Sequence, residues 1–263
     1  MPLTNQQLNE FEELGYLFIP DVFSPQEIQT LYGELPGIFA QDRVENVREK
    51  GTQSVRTSFA AHTFNQAFGY LGKHPRIINP VRQLLDGEVY MHQYKINAKA
   101  AYDGDVWQWH QDFGTWSRDD LMPEARAMNI AVFLDDVTEF NGALMFIPRS
   151  HRDGVHKAGH DLETTSYPLW TLDKDTVSRL VDEGGMVSPK GPAGSVIMFH
   201  SNLVHASPSN ISPFNRTIVY LSLCHVDNHI RQFKRPEWIA HRDFTPIVPA
   251  ADDCLMNLTG QSA

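Results

Sequence analysis

Ile130-Ala-Val-Phe-Leu-Asp-Asp-Val-Thr-Glu-Phe-Asn-Gly-Ala-Leu-Met-Phe-Ile147 contains two runs of aliphatic, β-branched and aromatic residues separated by Asn141-Gly142. That arrangement predicts a β-hairpin over Ile130 to Val137 and Ala143 to Ile147. The same texture recurs upstream in Val89 to Asn97 and downstream in Ser195 to Phe199 and Thr217 to Leu223, with turn residues between. From Glu88 onward the chain therefore predicts antiparallel β structure. Without an internal repeat a propeller is a poor fit, and a jelly-roll core (a cupin-like double-stranded β-helix) is the better one.

The flanks read differently. Thr4 with Gln7, and Ser24-Pro25-Gln26-Glu27, are capping-box patterns. They predict helices over residues 5 to 15 and 25 to 35, the second stopped by Pro36. Residues 40 to 57 are charged and weakly periodic, which predicts an exposed loop near the site. Asn79-Pro80 opens a short helix through Leu85, ending at Asp86-Gly87. No linker interrupts the chain, so 1–263 is expected to form one domain. Its parts are N-terminal helices over 1–87, a jelly-roll core over 88–225 and a C-terminal tail over 226–263. Residues 152 to 192 interrupt the strands with about forty residues, longer than an ordinary connection. They predict an insertion with a helix near Asp173 to Asp182, either a lid over the site or a structural cover.

Composition excludes several classes of function. The 263 residues carry 22 Lys+Arg against 32 Asp+Glu, a formal charge of −10, which argues against nucleic-acid or anionic-membrane partners. There is no apolar run of about 18 residues and no basic start followed by an apolar stretch, so a cytoplasmic location is expected. Cys224 and Cys254, the two cysteines, make neither a disulfide framework nor a four-thiolate zinc site. Dinucleotide-binding, P-loop, serine-hydrolase and zinc-protease motifs are absent.

Histidine, with twelve copies, is the abundant chemical resource. His110-Gln111-Asp112 would place an imidazole and a carboxylate on one face of a β-strand, two of the three protein ligands of a non-haem Fe(II) centre. His151-Arg152-Asp153 and His241-Arg242-Asp243 repeat the spacing but lack strand texture. The third ligand is expected at His205, eleven residues before Arg216 at the start of the next strand, with His200 as its competitor. There the arginine could offer its planar fork to a carboxylate. On Val89 to Asn97 the alternate residues Gln93, Lys95 and Asn97 form a polar stripe that faces either solvent or a ligand inside the barrel. Trp107, Trp109, Phe113 and Trp116 are core residues or pocket walls.

Val89-Tyr-Met-His-Gln-Tyr-Lys-Ile-Asn97, Trp109-His-Gln-Asp-Phe-Gly-Thr-Trp116, Met122-Pro123 with Arg126-Ala127, and His205-Ala-Ser with Asn210-Ile-Ser-Pro213 resemble the phytanoyl-CoA dioxygenase superfamily of Fe(II)- and 2-oxoglutarate-dependent oxygenases. Within it they are similar to ectoine hydroxylases and to bacterial hydroxylases of free aliphatic amino acids. The resemblance implies that His110, Asp112 and His205 hold iron. It implies that Arg216 and Ser207 bind the distal carboxylate of 2-oxoglutarate, with Asn97, Lys95 and Asn129 also on the cofactor side. Gln93, Trp107, Trp116, Ala127, Phe199 and Tyr220 would face the substrate, and Arg126, Arg118 or an insertion residue would pair with its carboxylate. Gln111, Gly114 and Asn129 depart from the ectoine hydroxylase pattern.

The expected activity is hydroxylation of an unactivated C–H bond in a small free amino acid, with O2 as co-substrate and succinate and CO2 as by-products. Leucine or a related aliphatic amino acid is the first reading. Ectoine or a proline-type imino acid is the alternative within the class, and a non-catalytic jelly-roll binding module is the alternative outside it. The oligomeric state stays open.

Overall fold

The two halves of the 130–147 segment do not pair with each other. In the computed structural model, which describes residues 2–258, Ala127–Phe133 lies inside a seven-stranded antiparallel sheet and Met145–Phe146 in a separate three-stranded one. The expected hairpin is thus replaced by a crossing between sheets. Asn141 accepts from the Thr138 amide at 2.9 Å and donates to the carbonyls of Asp136 at 2.8 Å and Asn215 at 3.2 Å. Gly142 follows with φ +77°, where a Cβ would also meet the Pro208 carbonyl at 2.8 Å. This connection carries the chain from one sheet of a double-stranded β-helix to the other.

At the N-terminus both capping boxes form, starting α1 (Asn5–Leu14) and α2 (Pro25–Phe39). Between them β1 (Tyr16–Ile19), unforeseen in the sequence, pairs with the strand at Val196–His200. Pro36 does not stop α2. It forgoes its own backbone bond, but Leu31, Leu35 and Ile38 bury one face of the helix, and the Ala40 amide closes on the Pro36 carbonyl at 3.1 Å. Residues 40–57 are not an exposed loop. They hold β2 (Asn46–Arg48) and the start of β3 (Val55–Phe59), and two of their charges, Glu49 and Arg56, are buried against each other. A mutually neutralised pair hides in the interior while looking hydrophilic in sequence.

Next come α3 (Gln66–Leu71), also unforeseen, and α4 (Pro75–Leu85). The latter starts a turn before Asn79-Pro80, because the His74 side chain caps it and Ile77, Ile78, Val81 and Leu85 form a buried stripe.

The remaining elements are β4 (Val89–Lys99), β5 (Trp107–His110), α5 (Asp112–Asp119), β6 (Ala127–Phe133), β7 (Met145–Phe146), β8 (Ala158–Asp161), β9 (Leu169–Leu172), α6 (Lys174–Gly184), β10 (Val196–His200), β11 (His205–Ser207) and β12 (Arg216–His225). The large sheet runs β1-β10-β6-β12-β4-β3-β2 and the small one β5-β11-β7. The insertion adds the β8–β9 hairpin and α6, whose N-cap is Asp173. One core lies between the large sheet and the helices, with Leu35, Ile77, Val81, Ile96, Val132 and Leu221 in it. A second, around Phe133, Phe146, Phe199 and Ile218, fills the interior of the β-helix. Among the described residues no helix is long and apolar enough to cross a membrane.

A bulge decides which face of β4 looks inward. Ser222 pairs with Gln93 and Leu223 with Met91, so His92 is the extra residue. Before it, Val89 and Met91 join the helix-side core; after it, that side is taken by Tyr94 and Ile96. Gln93, Lys95 and Asn97 are thereby turned into the barrel, and the strict alternation read from sequence breaks at His92.

Candidate active site

His110 ends β5 and His205 begins β11, and the two are direct antiparallel partners with ring centroids 4.1 Å apart. Asp112 is not on the same strand as His110, as expected from spacing; it is the first residue of α5. Gln111 between them is extended, at φ −122° and ψ 127°, so the two side chains still converge. Asp112 Oδ1 lies 3.9 Å from His110 Nε2, and Oδ2 lies 3.4 Å from His205 Nε2. One donor atom from each of the three residues falls within 4.8 Å of the others.

Both imidazoles are oriented the same way. His110 Nδ1 is 2.6 Å from the Gln108 carbonyl and His205 Nδ1 is 2.9 Å from that of Leu203, which leaves each Nε2 turned to the centre. Burial first, and the His205 ring second, push His110 down to about 3; burial lowers His205 as well. Burial would raise the Asp112 carboxyl, but Lys95, the two histidines and Asn129 together hold it below its ordinary value. Two neutral imidazoles and one carboxylate are the donor set that a divalent iron takes. His200 stands apart: its Nδ1 accepts from the Asn202 amide and its ring packs on His151.

The triad opens into a cavity of about 620 Å³, mouth included. Of the residues expected there, Gln93, Lys95, Asn97, Trp107, Trp116, Ser207 and Tyr220 line it. Arg216 does not itself line the cavity: it is 1% exposed behind Ser207, its Nη2 donates to Ser207 Oγ at 3.1 Å, the Tyr220 hydroxyl faces the guanidinium, and Nε and Nη1 make no hydrogen bond of good geometry. Burying a guanidinium so incompletely paired costs on the order of several kcal/mol, which an arriving carboxylate would offset. Asn97 holds Thr57 through Oδ1 at 2.9 Å, and the Lys95 ammonium lies 5.8 Å over the Tyr220 ring.

Five expected contacts fall elsewhere. Asn129 is not a cofactor contact: it donates to Asp112 Oδ2 at 2.7 Å and accepts from Ser222 Oγ at 2.5 Å, orienting the carboxylate. Arg126 is drawn to the orphan carbonyls of Leu85 and Asp86 at the end of α4. Ala127 is fully buried in the cluster behind Trp116, and Phe199 packs its ring on His205 at 5.0 Å, supporting the ligand from outside the cavity. Arg118, the other arginine considered, bonds the carbonyls of Gly114 and His156. Gly114 permits this, since a Cβ there would meet Arg118 Nη1 at 2.8 Å. Gln111 ties the carbonyls of Gly154 and Asn202, so none of the three departures from the ectoine hydroxylase pattern lines the cavity, and only Asn129 reaches it, through Asp112.

Sequence reasoning missed six lining residues: Thr115, Leu144, Tyr167, Leu169, Ala206 and Arg235. The Thr115 hydroxyl is buried without a partner. Arg235, in the coil after β12, is held by Asp120 through Nε at 2.8 Å and again through Nη2. Thr115 sits in the Asp112 motif and could have been found as the next inward position of the helix. Arg235 has no local signal.

The comparisons with known proteins agree with this geometry. The family model for phytanoyl-CoA dioxygenase (PhyH) matches residues 11–218. An L-proline trans-4-hydroxylase of Streptomyces griseoviridis is 34% identical, over 92% of this chain and 94% of its own length. An ectoine dioxygenase of Bordetella parapertussis is also 34% identical, over 91% and 83%. The crystal structure of EctD from S. alaskensis with 2-oxoglutarate and 5-hydroxyectoine superposes with a TM-score of 0.85 at 31% identity, covering 94% of this chain and 87% of that one. The family model covers most of the chain and the relatives match along nearly its whole length, so the chain belongs to the phytanoyl-CoA dioxygenase family.

Proposed function

We propose that this enzyme, an Fe(II)- and 2-oxoglutarate-dependent dioxygenase, hydroxylates a small cyclic amino acid of the proline or ectoine type. The observation that carries the substrate class is the second anion site in the cavity. Arg235, paired to Asp120 and facing the Tyr167 hydroxyl, and the partnerless Thr115 hydroxyl line the same space as the triad. They suit the substrate carboxylate, while Arg216 and Ser207 suit that of 2-oxoglutarate. Trp107, Trp116, Leu144 and Leu169 add flat and aliphatic walls against which a compact ring packs, and the indole faces favour a cationic ring nitrogen. Iron and 2-oxoglutarate, when bound, supply the oxidising chemistry. The chain's own residues hold, orient and enclose: His110, Asp112 and His205 hold the metal, Asn129 fixes the carboxylate, and Arg216 anchors the cosubstrate.

Leucine, the first reading from sequence, loses its preference: the relatives named above act on proline and ectoine, and the residues that departed from the ectoine pattern lie outside the cavity. The test is a side-by-side assay of L-proline, ectoine, L-leucine and phytanoyl-CoA. Succinate formation and a product heavier by one oxygen atom derived from O2 are measured for each. Proline or ectoine is expected to give the highest kcat/KM; a higher value for leucine or the CoA thioester overturns the substrate class and leaves the metal site standing.

A further inference from the structure

We propose that Glu49 is a positioning residue that fastens the 162–170 part of the insertion over the cavity. Its carboxylate is buried and collects three separate stretches of chain. Oε2 accepts from Ser166 Oγ in the insertion at 3.0 Å, and Oε1 accepts from the Asp105 amide, just before β5, at 3.0 Å. Both oxygens receive Arg56 Nη1 of β3, at 3.2 and 3.1 Å. Arg56 in turn donates to the Val106 carbonyl at 2.6 Å and lies 4.0 Å over the Trp107 ring.

The chain of contacts ends in the cavity. Ser166 precedes Tyr167, whose ring is 5.8 Å from that of Trp107 and 5.8 Å from that of Phe59. Tyr167 and Leu169 line the cavity with Trp107. Lys50, the neighbour of Glu49, adds a second clip through its ammonium to the Glu163 carbonyl at 2.5 Å. The other hydrogen bonds of Glu163, Thr164 and Thr165 stay within the insertion, and the next polar attachments along the chain are Tyr167 to Arg235 and Trp170 Nε1, which donates to Asp119 of α5 at 3.1 Å, so Glu49 and Lys50 hold the N-terminal half of the segment. An anionic acceptor suits the position, because it must satisfy a buried guanidinium, an amide and a hydroxyl at once.

Release of Ser166 therefore loosens Tyr167 and Leu169 over the cavity while β5, α5, β11 and β12, which carry the triad and Arg216, stay in place. The consequence for turnover rests on the hydroxylase reading above; the attachment of the segment does not. Ser166→Ala removes only the arm from the insertion, and Ser166→Thr retains the hydroxyl. Ser166→Ala is expected to raise the amino-acid KM about threefold or more, the loss of one hydrogen bond to a charged acceptor. Product formed per succinate should fall, with ascorbate supplied as reductant for unproductive turnovers, while the 2-oxoglutarate KM is unchanged. Ser166→Thr restores both. Independently of any substrate, limited proteolysis between residues 161 and 168 should be faster in Ser166→Ala and in Glu49→Gln than in the parent protein. Equal proteolysis of parent and Ser166→Ala overturns the attachment, and an unchanged product-to-succinate ratio overturns the positioning role. If none of the tested amino acids is hydroxylated, the proteolysis comparison still decides the attachment.

Discussion

On one side of the cavity Ser207 and Asn97, with Arg216 behind Ser207, stand on β11, β4 and β12, and β12 and β4 are hydrogen-bonded partners along ten pairs. On the other side Thr115 comes from α5, Tyr167 and Leu169 from the insertion, and Arg235 from the coil after the last strand. The first side is set by sheet register, which moves only if a strand slips by whole residues. The second is set by side-chain packing and a few ion pairs between segments far apart in the chain. A site divided in this way keeps its metal and cosubstrate chemistry constant while the substrate wall can be rebuilt by changes in loops.

The division predicts effects of graded size. Ala at His110, Asp112 or His205 should abolish turnover and the visible absorption that forms when Fe(II) and 2-oxoglutarate are mixed anaerobically, while His200→Ala keeps both. Activity in His205→Ala together with loss in His200→Ala would remove β11 from the metal centre. Next in size, Arg216→Ala should raise the 2-oxoglutarate KM by about tenfold or more, since a charge-assisted contact is worth roughly 1.5–3 kcal/mol. The amino-acid KM should move less. The smallest effect expected is at Thr115→Val, which keeps shape and removes the hydroxyl: the amino-acid KM should rise about three- to tenfold, with 2-oxoglutarate saturation unaltered. A shift in 2-oxoglutarate saturation instead would show that the two sides are not separate.

The sharpest differences between reading and structure share a cause. Residues 40–57 look solvated because Glu49 and Arg56 are charged, yet each is the other's solvent. The stripe on β4 breaks at His92 because a bulge inserts one residue, and nothing in the local pattern announces it. Pro36 and Pro80 are local stop or start signals overruled by buried helix faces. At the two prolines a preference worth about 1–3 kcal/mol locally is outweighed by burial of several apolar side chains, and in all of these cases contacts between distant residues decide.

Residue types and short-range spacing determined the β character of the core, the capped N-terminal helices, the His-x-Asp pair with its distant histidine, and an arginine one strand further on. All of these depend on near neighbours in sequence or on the chemistry a metal demands. Tertiary structure alone decided that the 130–147 segment crosses between sheets, that Asp112 begins a helix, that Asn129 serves Asp112, and that Arg235 and Tyr167 line the cavity. Those outcomes depend on contacts between residues far apart along the chain. Such contacts form only once the two sheets close on each other, so no window of neighbouring residues records them.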